Sequence, residues 1–168
     1  MLTRNPKAVF LASLIGGLMS IHANAGEVVR HKIPNSDFPI SLAVEIPASA
    51  TLVNLSGAVP PIADSTADPK SVAAFGNTEA QTVSTLKNIE GTLKSLGLSL
   101  ADIVKMQVYL VGAPNNEGKM DYAGFMKGYT QFFGTANQRN LPTRSVFQVT
   151  GLANPGYLVE IEVSAVRP

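Results

Sequence analysis

Apolar residues recur at two spacings along this chain, and the switches between those spacings mark its elements. Val83, Leu86, Ile89, Leu93 and Leu96 follow one another at three or four residues, the period of one helix face. Thr78-Glu79-Ala80-Gln81 in front of them has the form of a capping box and Gly97 is a stop signal, so the spacing predicts a helix over residues 78–96. A second helical stripe, Tyr122, Phe125, Met126, Tyr129, Phe132 and Phe133, fills residues 120–133 and ends at Gly134. All six fit one face, which is expected to pack into a core. Between the helices, residues 103–111 alternate, with Val104, Met106, Val108 and Leu110 on one side, as a strand does. Residues 41–46 and 51–59 are β-prone runs separated by Pro47-Ala48-Ser49-Ala50 and are expected to pair. At the end of the chain Val159, Ile161, Val163 and Ala165 alternate with Leu158, Glu160, Glu162, Ser164 and Val166. A β-rich run at 145–149 precedes a turn-rich segment at 151–156, so a hairpin is expected to bring Arg144 and Glu160 into one neighbourhood. Residues 26–37 read as a polar extended arm, and 60–76 as a long loop.

The resulting order, β-β-α-β-α-β-β, predicts an α+β domain with two helices packed on one face of a single mixed sheet. The other sheet face would carry Glu160, Glu162 and Ser164 beside Leu158 and Val166. A half-polar face of this kind is naturally covered by symmetric copies of the same chain.

Composition alters this picture at the N-terminus. Residues 1–25 hold Arg4 and Lys7, then a short apolar segment, then Ala23-Asn24-Ala25, the three-part layout of a secretory signal peptide cut after Ala25. The remaining domain, 26–168, is then periplasmic or secreted, with no membrane span after cleavage. Removing Arg4 and Lys7 from the 13 Lys and Arg leaves 11 against 12 Asp and Glu, a formal net charge of −1. That near-neutral balance argues against nucleic acid as a partner, because phosphate binding relies on basic patches. The chain has no cysteine and only two histidines, one of which, His22, lies in the leader. Cys/His nucleophile pairs, the usual zinc sites and blue-copper sites all lack ligands. No G-x-S-x-G, G-x-G-x-x-G or P-loop is present. Any chemistry must run on carboxylate, guanidinium, hydroxyl and backbone groups.

Several runs together resemble the Rid family of reactive intermediate deaminases. They are Leu55-Ser56-Gly57 followed by Pro60, the stretch QTVSTLKNIEGTLKSLGLSLADIVKMQVYL, Tyr129-Thr130-Gln131-Phe132-Phe133, Leu141-Pro142-Thr143-Arg144-Ser145, and the terminal strand VEIEVSAV. The resemblance implies a chorismate-mutase-like fold, a homotrimer with its sheets facing inward, and ligand clefts between subunits. It implies hydrolysis of enamines and 2-imino acids to 2-keto acids and ammonia, with no metal and no organic cofactor. Carried over by position, Arg144 is the carboxylate-binding arginine and Glu160 the water-orienting glutamate, while Ser56, Ile40, Met126, Val146 and Tyr129 line the pocket. The chemistry suits these types, since a guanidinium fork grips a carboxylate by two parallel hydrogen bonds and a carboxylate can position water and move a proton. Three positions depart from the family pattern. Phe38-Pro39-Ile40 stands where relatives have Gly-Pro-Tyr, Met126 where they have asparagine, and Val146 where they have cysteine. The arginine is kept while polarity around it is lost, which leaves two readings open: a small-carboxylate imine deaminase, or a non-catalytic trimer that binds a small carboxylate in the same cleft as a scavenger or sensor.

Overall fold

The computed structural model describes residues 26–113 and 116–167; the leader, its cleavage point after Ala25 and part of the 112–119 loop fall outside them. Helix α1 runs Thr78–Ser95 and α2 runs Tyr122–Tyr129. The described residues also form six strands: β1 Val29–Lys32, β2 Ser41–Glu45, β3 Thr51–Asn54, β4 Ile103–Val111, β5 Thr143–Val149 and β6 Val159–Arg167. The α+β expectation holds, with two helices on a mixed sheet.

Helix α1 begins one residue earlier in its cap than the sequence pattern suggested. Asn77, not Thr78, is the N-cap, and its side-chain oxygen accepts from Ala80 N at 3.0 Å. The buried face of α1 also departs from a purely apolar stripe: Gln81, Thr82 and Thr85 are buried with Leu86, Ile89 and Leu93, while Leu96 is exposed. The polar part of that face meets α2, where Gly128 allows close approach; a Cβ there would stand 2.7 Å from Thr82 Cβ. Helix α2 is capped by Asp121, whose side chain accepts from Gly124 N at 2.8 Å. It is shorter than its aromatic stripe, and the chain turns after Thr130 so that Phe133 stacks on Tyr129 with ring centres 4.8 Å apart.

The main sheet has the order β3-β6-β4-β5. β6 is antiparallel to β3 and β4, and β5 is parallel to β4. Two sequence expectations therefore change. β5 and β6 form no hairpin, because β4 lies between them. Nor do β2 and β3 pair: β2 pairs with β1, a strand within the expected polar arm, and this ribbon meets the main sheet where Ser41 N donates to Pro142 O at 2.9 Å. The core lies between the helices and one sheet face, where Met106, Val108, Leu110, Val159, Ile161 and Val163 meet Leu86, Ile89, Leu93, Phe125 and Tyr129. The opposite face carries Lys105, Gln107, Tyr109, Glu160, Glu162 and Ser164, all partly or fully exposed.

Candidate functional site

Register decides where the candidate residues go. Arg144 on β5 sits opposite Met106 on β4, while Glu160 on β6 sits opposite Tyr109. Met106 and Tyr109 are an odd number of residues apart, so their side chains leave opposite faces of the sheet. Arg144 therefore lies on the helix side and Glu160 on the open side. Two strand spacings and three residues of rise separate their Cα atoms by about 14 Å. Within one chain the two groups do not share a neighbourhood, contrary to the hairpin expectation.

Around Arg144 the fold builds an aromatic cradle. Its guanidinium carbon lies 4.2 Å from the ring centre of Tyr129, 5.1 Å from that of Phe125 and 5.5 Å from that of Phe38, which places a cation against three π faces. Nη2 donates to the Tyr122 hydroxyl and approaches Met126 Sδ, each at 3.3 Å. Nη1 is buried and has no hydrogen-bond partner among the described residues. The ion pairs among the described residues are His31–Glu45 and Lys119–Glu117, so no carboxylate neutralises this cation. The Tyr129 hydroxyl donates to Pro39 O at 2.8 Å and pins the segment carrying Phe38 and Ile40 beside the arginine. Burial pushes the Tyr129 phenol well above its usual range, against the opposing pull of Arg144, so this hydroxyl stays a donor. A hollow of about 280 Å³ runs past Arg144, with Ile33, Ile40, Leu42 and Thr143 in its wall. Val146, opposite Val108, packs against the core beneath this region.

Glu160 belongs to a second group. An isolated bridge, Ala58 N to Ile161 O at 2.9 Å and Ile161 N to Ala58 O at 3.0 Å, draws the bend after β3 across β6. That contact lays the Glu160 carboxylate directly over Gly57, where a Cβ would overlap it unless the side chain moved. Ser56, which precedes Gly57, opens onto a hollow of about 420 Å³ shared with Asn54 and with Asn88 and Thr92 of α1. Next along the open face, Gln107 donates to the Tyr109 hydroxyl at 3.3 Å, and that hydroxyl donates to Glu162 at 3.2 Å. Glu162 is thus engaged within its own chain.

The candidates accordingly split into two half-sites at opposite edges of the sheet. Arg144, Ile40, Met126, Tyr129 and Val146 lie at the β5 edge, and Ser56 and Glu160 on the β3–β6 side. A further hollow, of about 540 Å³, lies elsewhere, beside Arg30 and Asp102. Arg30 differs from Arg144 in that its Nη2 is already bound to the carbonyls of Ala101 and Ile103 at 3.0 Å, which makes it a brace between β1 and the start of β4. Sequence reasoning missed Phe38, Tyr122 and Phe125 as neighbours of the arginine. The helical stripe placed the latter two on one face but could not show that a cation packs against it.

Comparison with known proteins gives a consistent result. Residues 41–167 match the family described as Endoribonuclease L-PSP. A 2-iminobutanoate/2-iminopropanoate deaminase of Salmonella typhimurium is 31% identical over 117 residues, 70% of this chain and 80% of that protein. A RutC family protein of Haemophilus influenzae is 31% identical over 136 residues, 81% of this chain and 92% of the relative. Among solved structures, Escherichia coli TdcF with bound serine aligns with a TM-score of 0.55 at 28% identity, covering 82% of this chain and 99% of TdcF.

Proposed function

Because this chain belongs to the Rid family, matched through its Endoribonuclease L-PSP domain, we propose that it hydrolyses 2-imino acids to 2-oxo acids and ammonia in a cleft between two subunits of a homotrimer. The observation that carries this reading is Arg144: a guanidinium with one buried, unpartnered nitrogen and no acidic neighbour among the described residues. A buried donor without a partner costs free energy that an incoming carboxylate recovers. The aromatic cradle fixes the plane of the fork and so orients the reacting carbon.

Glu160 is the proton-handling group of the proposal. It accepts a proton from water as the oxygen adds to the C=N carbon and passes that proton to the imine nitrogen, giving a neutral carbinolamine. Glu160 then takes the carbinolamine hydroxyl proton and delivers it to the departing nitrogen as the C–N bond breaks and the C=O bond forms, so one water enters and one ammonia leaves. Enamines such as 2-aminoacrylate reach the same point after tautomerising to the imine. The separation of Arg144 and Glu160 on opposite faces of one chain supports an arrangement in which the β5 edge of one subunit meets the β3–β6 side of the next. A single guanidinium among aromatic rings is poorly suited to a polyanion such as RNA, which calls for several phosphate contacts.

The alternative, a trimer that binds small carboxylates without turnover, draws on the same arginine and on the loss of polar groups at Ile40, Met126 and Val146. The two readings part in a coupled assay that generates 2-iminobutanoate or 2-iminopropanoate beside the purified protein. Faster loss of the imine, abolished in Arg144→Ala, supports the enzyme. No acceleration together with measurable 2-oxo acid binding supports the binder. Residues 1–25, read as a cleaved leader, support a periplasmic or secreted setting, and N-terminal sequencing of the exported protein tests it.

A further inference from the structure

Phe38 and Tyr122 are large aromatic residues left 40% and 37% exposed on either side of a cation that has no acid partner among the described residues. Each is held in place. Phe38 N donates to Ser36 Oγ at 3.1 Å, and the following residue, Pro39, accepts the Tyr129 hydroxyl. Tyr122 lies in the first turn of α2, next to the Asp121 cap, with its ring 6.1 Å from Phe125 and its oxygen on Arg144. With Ile40 and Met126 they form an apolar ledge around the guanidinium, and among the described residues the Tyr122 hydroxyl is the one oxygen hydrogen-bonded to the arginine's nitrogen atoms.

We infer that this ledge selects the substrate's side chain, and that the ligands of the site are 2-imino and 2-oxo acids with bulky branched or aromatic apolar groups. The inference rests on the proposed role of Arg144 as the carboxylate clamp. A carboxylate paired with the guanidinium leaves its own substituent one or two bonds away, against rings already splayed around the cation. A methyl group covers little of that ledge, whereas a branched or aromatic group covers much more and removes it from water. A polar side chain would lose its hydration against Phe38, Ile40 and Met126 with no partner to replace it.

The test is calorimetric binding of pyruvate, 2-oxobutanoate, 4-methyl-2-oxopentanoate and phenylpyruvate to the purified protein, which reads recognition without requiring turnover. Affinity is expected to rise about fourfold for the first added methylene, following the usual burial increment, and more than tenfold from pyruvate to either large acid. Phe38→Ala, at a position 40% exposed, is expected to flatten the series, read as the ratio of each acid's affinity to that of pyruvate in the same variant, so that any loss common to all four acids through the opened cradle drops out. Thermal melting confirms that the variant is folded. Equal affinities across the series, abolished in Arg144→Ala, overturn this inference and leave the clamp standing. A series whose slope survives Phe38→Ala also overturns it, and binding that persists in Arg144→Ala overturns the clamp and this inference together.

Discussion

Gly57→Ala separates the position of Glu160 from the stability of the fold. A Cβ at residue 57 would overlap Glu160 Oε1 outright and stand 2.9 Å from Cδ and 3.2 Å from Cγ. The obstruction is the far end of a flexible side chain, so the backbone can stay while the carboxylate swings away. Forcing that side chain from its rotamer costs about 0.5–1.5 kcal/mol. Gly57 is not among the glycines with positive φ, so alanine also stiffens the unfolded chain and returns about 0.4–1 kcal/mol. The two nearly cancel, and the melting temperature is expected to stay within about 4 °C of the parent. Activity is another matter, because displacing a catalytic group by about 1 Å costs on the order of 100-fold. The assay is steady-state imine hydrolysis with melting measured in parallel: kcat is expected to fall about 100-fold with KM little changed, since Arg144 is untouched. An unchanged kcat in a folded variant refutes the placement of the reacting carbon beside this carboxylate. A large fall in melting temperature refutes the premise that only the side chain moves.

Other consequences follow from buried polar groups. Tyr129→Phe removes the hydrogen bond to Pro39 O and is expected to cost about 1 kcal/mol in denaturant unfolding, with KM rising as the Phe38–Ile40 segment loosens. The same phenol makes stability depend on alkaline pH. Its folded pKa is raised above the usual 10.0 by burial, so its contribution is complete below about pH 10 and declines as pH rises beyond it; Tyr129→Phe is expected to lose that part of the decline in unfolding measured from pH 8 to 11. Gln81 is fully buried, donates to Gly76 O and Gly156 O at 2.9 and 3.0 Å, and accepts from Leu158 N at 2.7 Å. Gln81→Ala strands all three backbone groups and is expected to destabilise by about 3 kcal/mol, read by urea unfolding; a loss under about 1 kcal/mol would show that water replaces the amide.

What could be read from the chain was whatever its local period encodes. The β4 alternation appears where spacing put it, as does the α1 stripe apart from the exposed Leu96, while the aromatic run outlasts α2, with Phe132 and Phe133 beyond its end. β6 alternates Val159, Ile161 and Val163 with Glu160, Glu162 and Ser164 as expected, but Leu158 and Val166, expected beside those carboxylates, are buried. Pairing was not legible. The turn at 151–156 shows that the chain reverses, but β4 enters between β5 and β6 through pairings as distant in sequence as Lys105 with Thr143 and Ile103 with Ala165, and no local signal carries them. β1 was missed because its four residues are mostly exposed and earn no periodicity. Arg144 and Glu160 were identifiable as chemistry, and the family likeness supplied their roles. Their separation was not identifiable, because the parity of two registers fixes it. Gln81 was read only as the last residue of a cap, since its hydrogen bonds reach Gly156 and Leu158 across the fold.

The central claim is that one working site takes Arg144 from one subunit and Glu160 from another. Subunit mixing tests it directly: Arg144→Ala and Glu160→Gln proteins, each inactive alone, are unfolded together in equal amounts and refolded. In a ring of subunits a site is whole when its arginine comes from the Glu160→Gln chain and its glutamate from the Arg144→Ala chain, so about one quarter of sites are restored. The account predicts imine hydrolysis at about a quarter of the parental rate. A mixture as inactive as its two components, at the parental oligomer size, would contradict it.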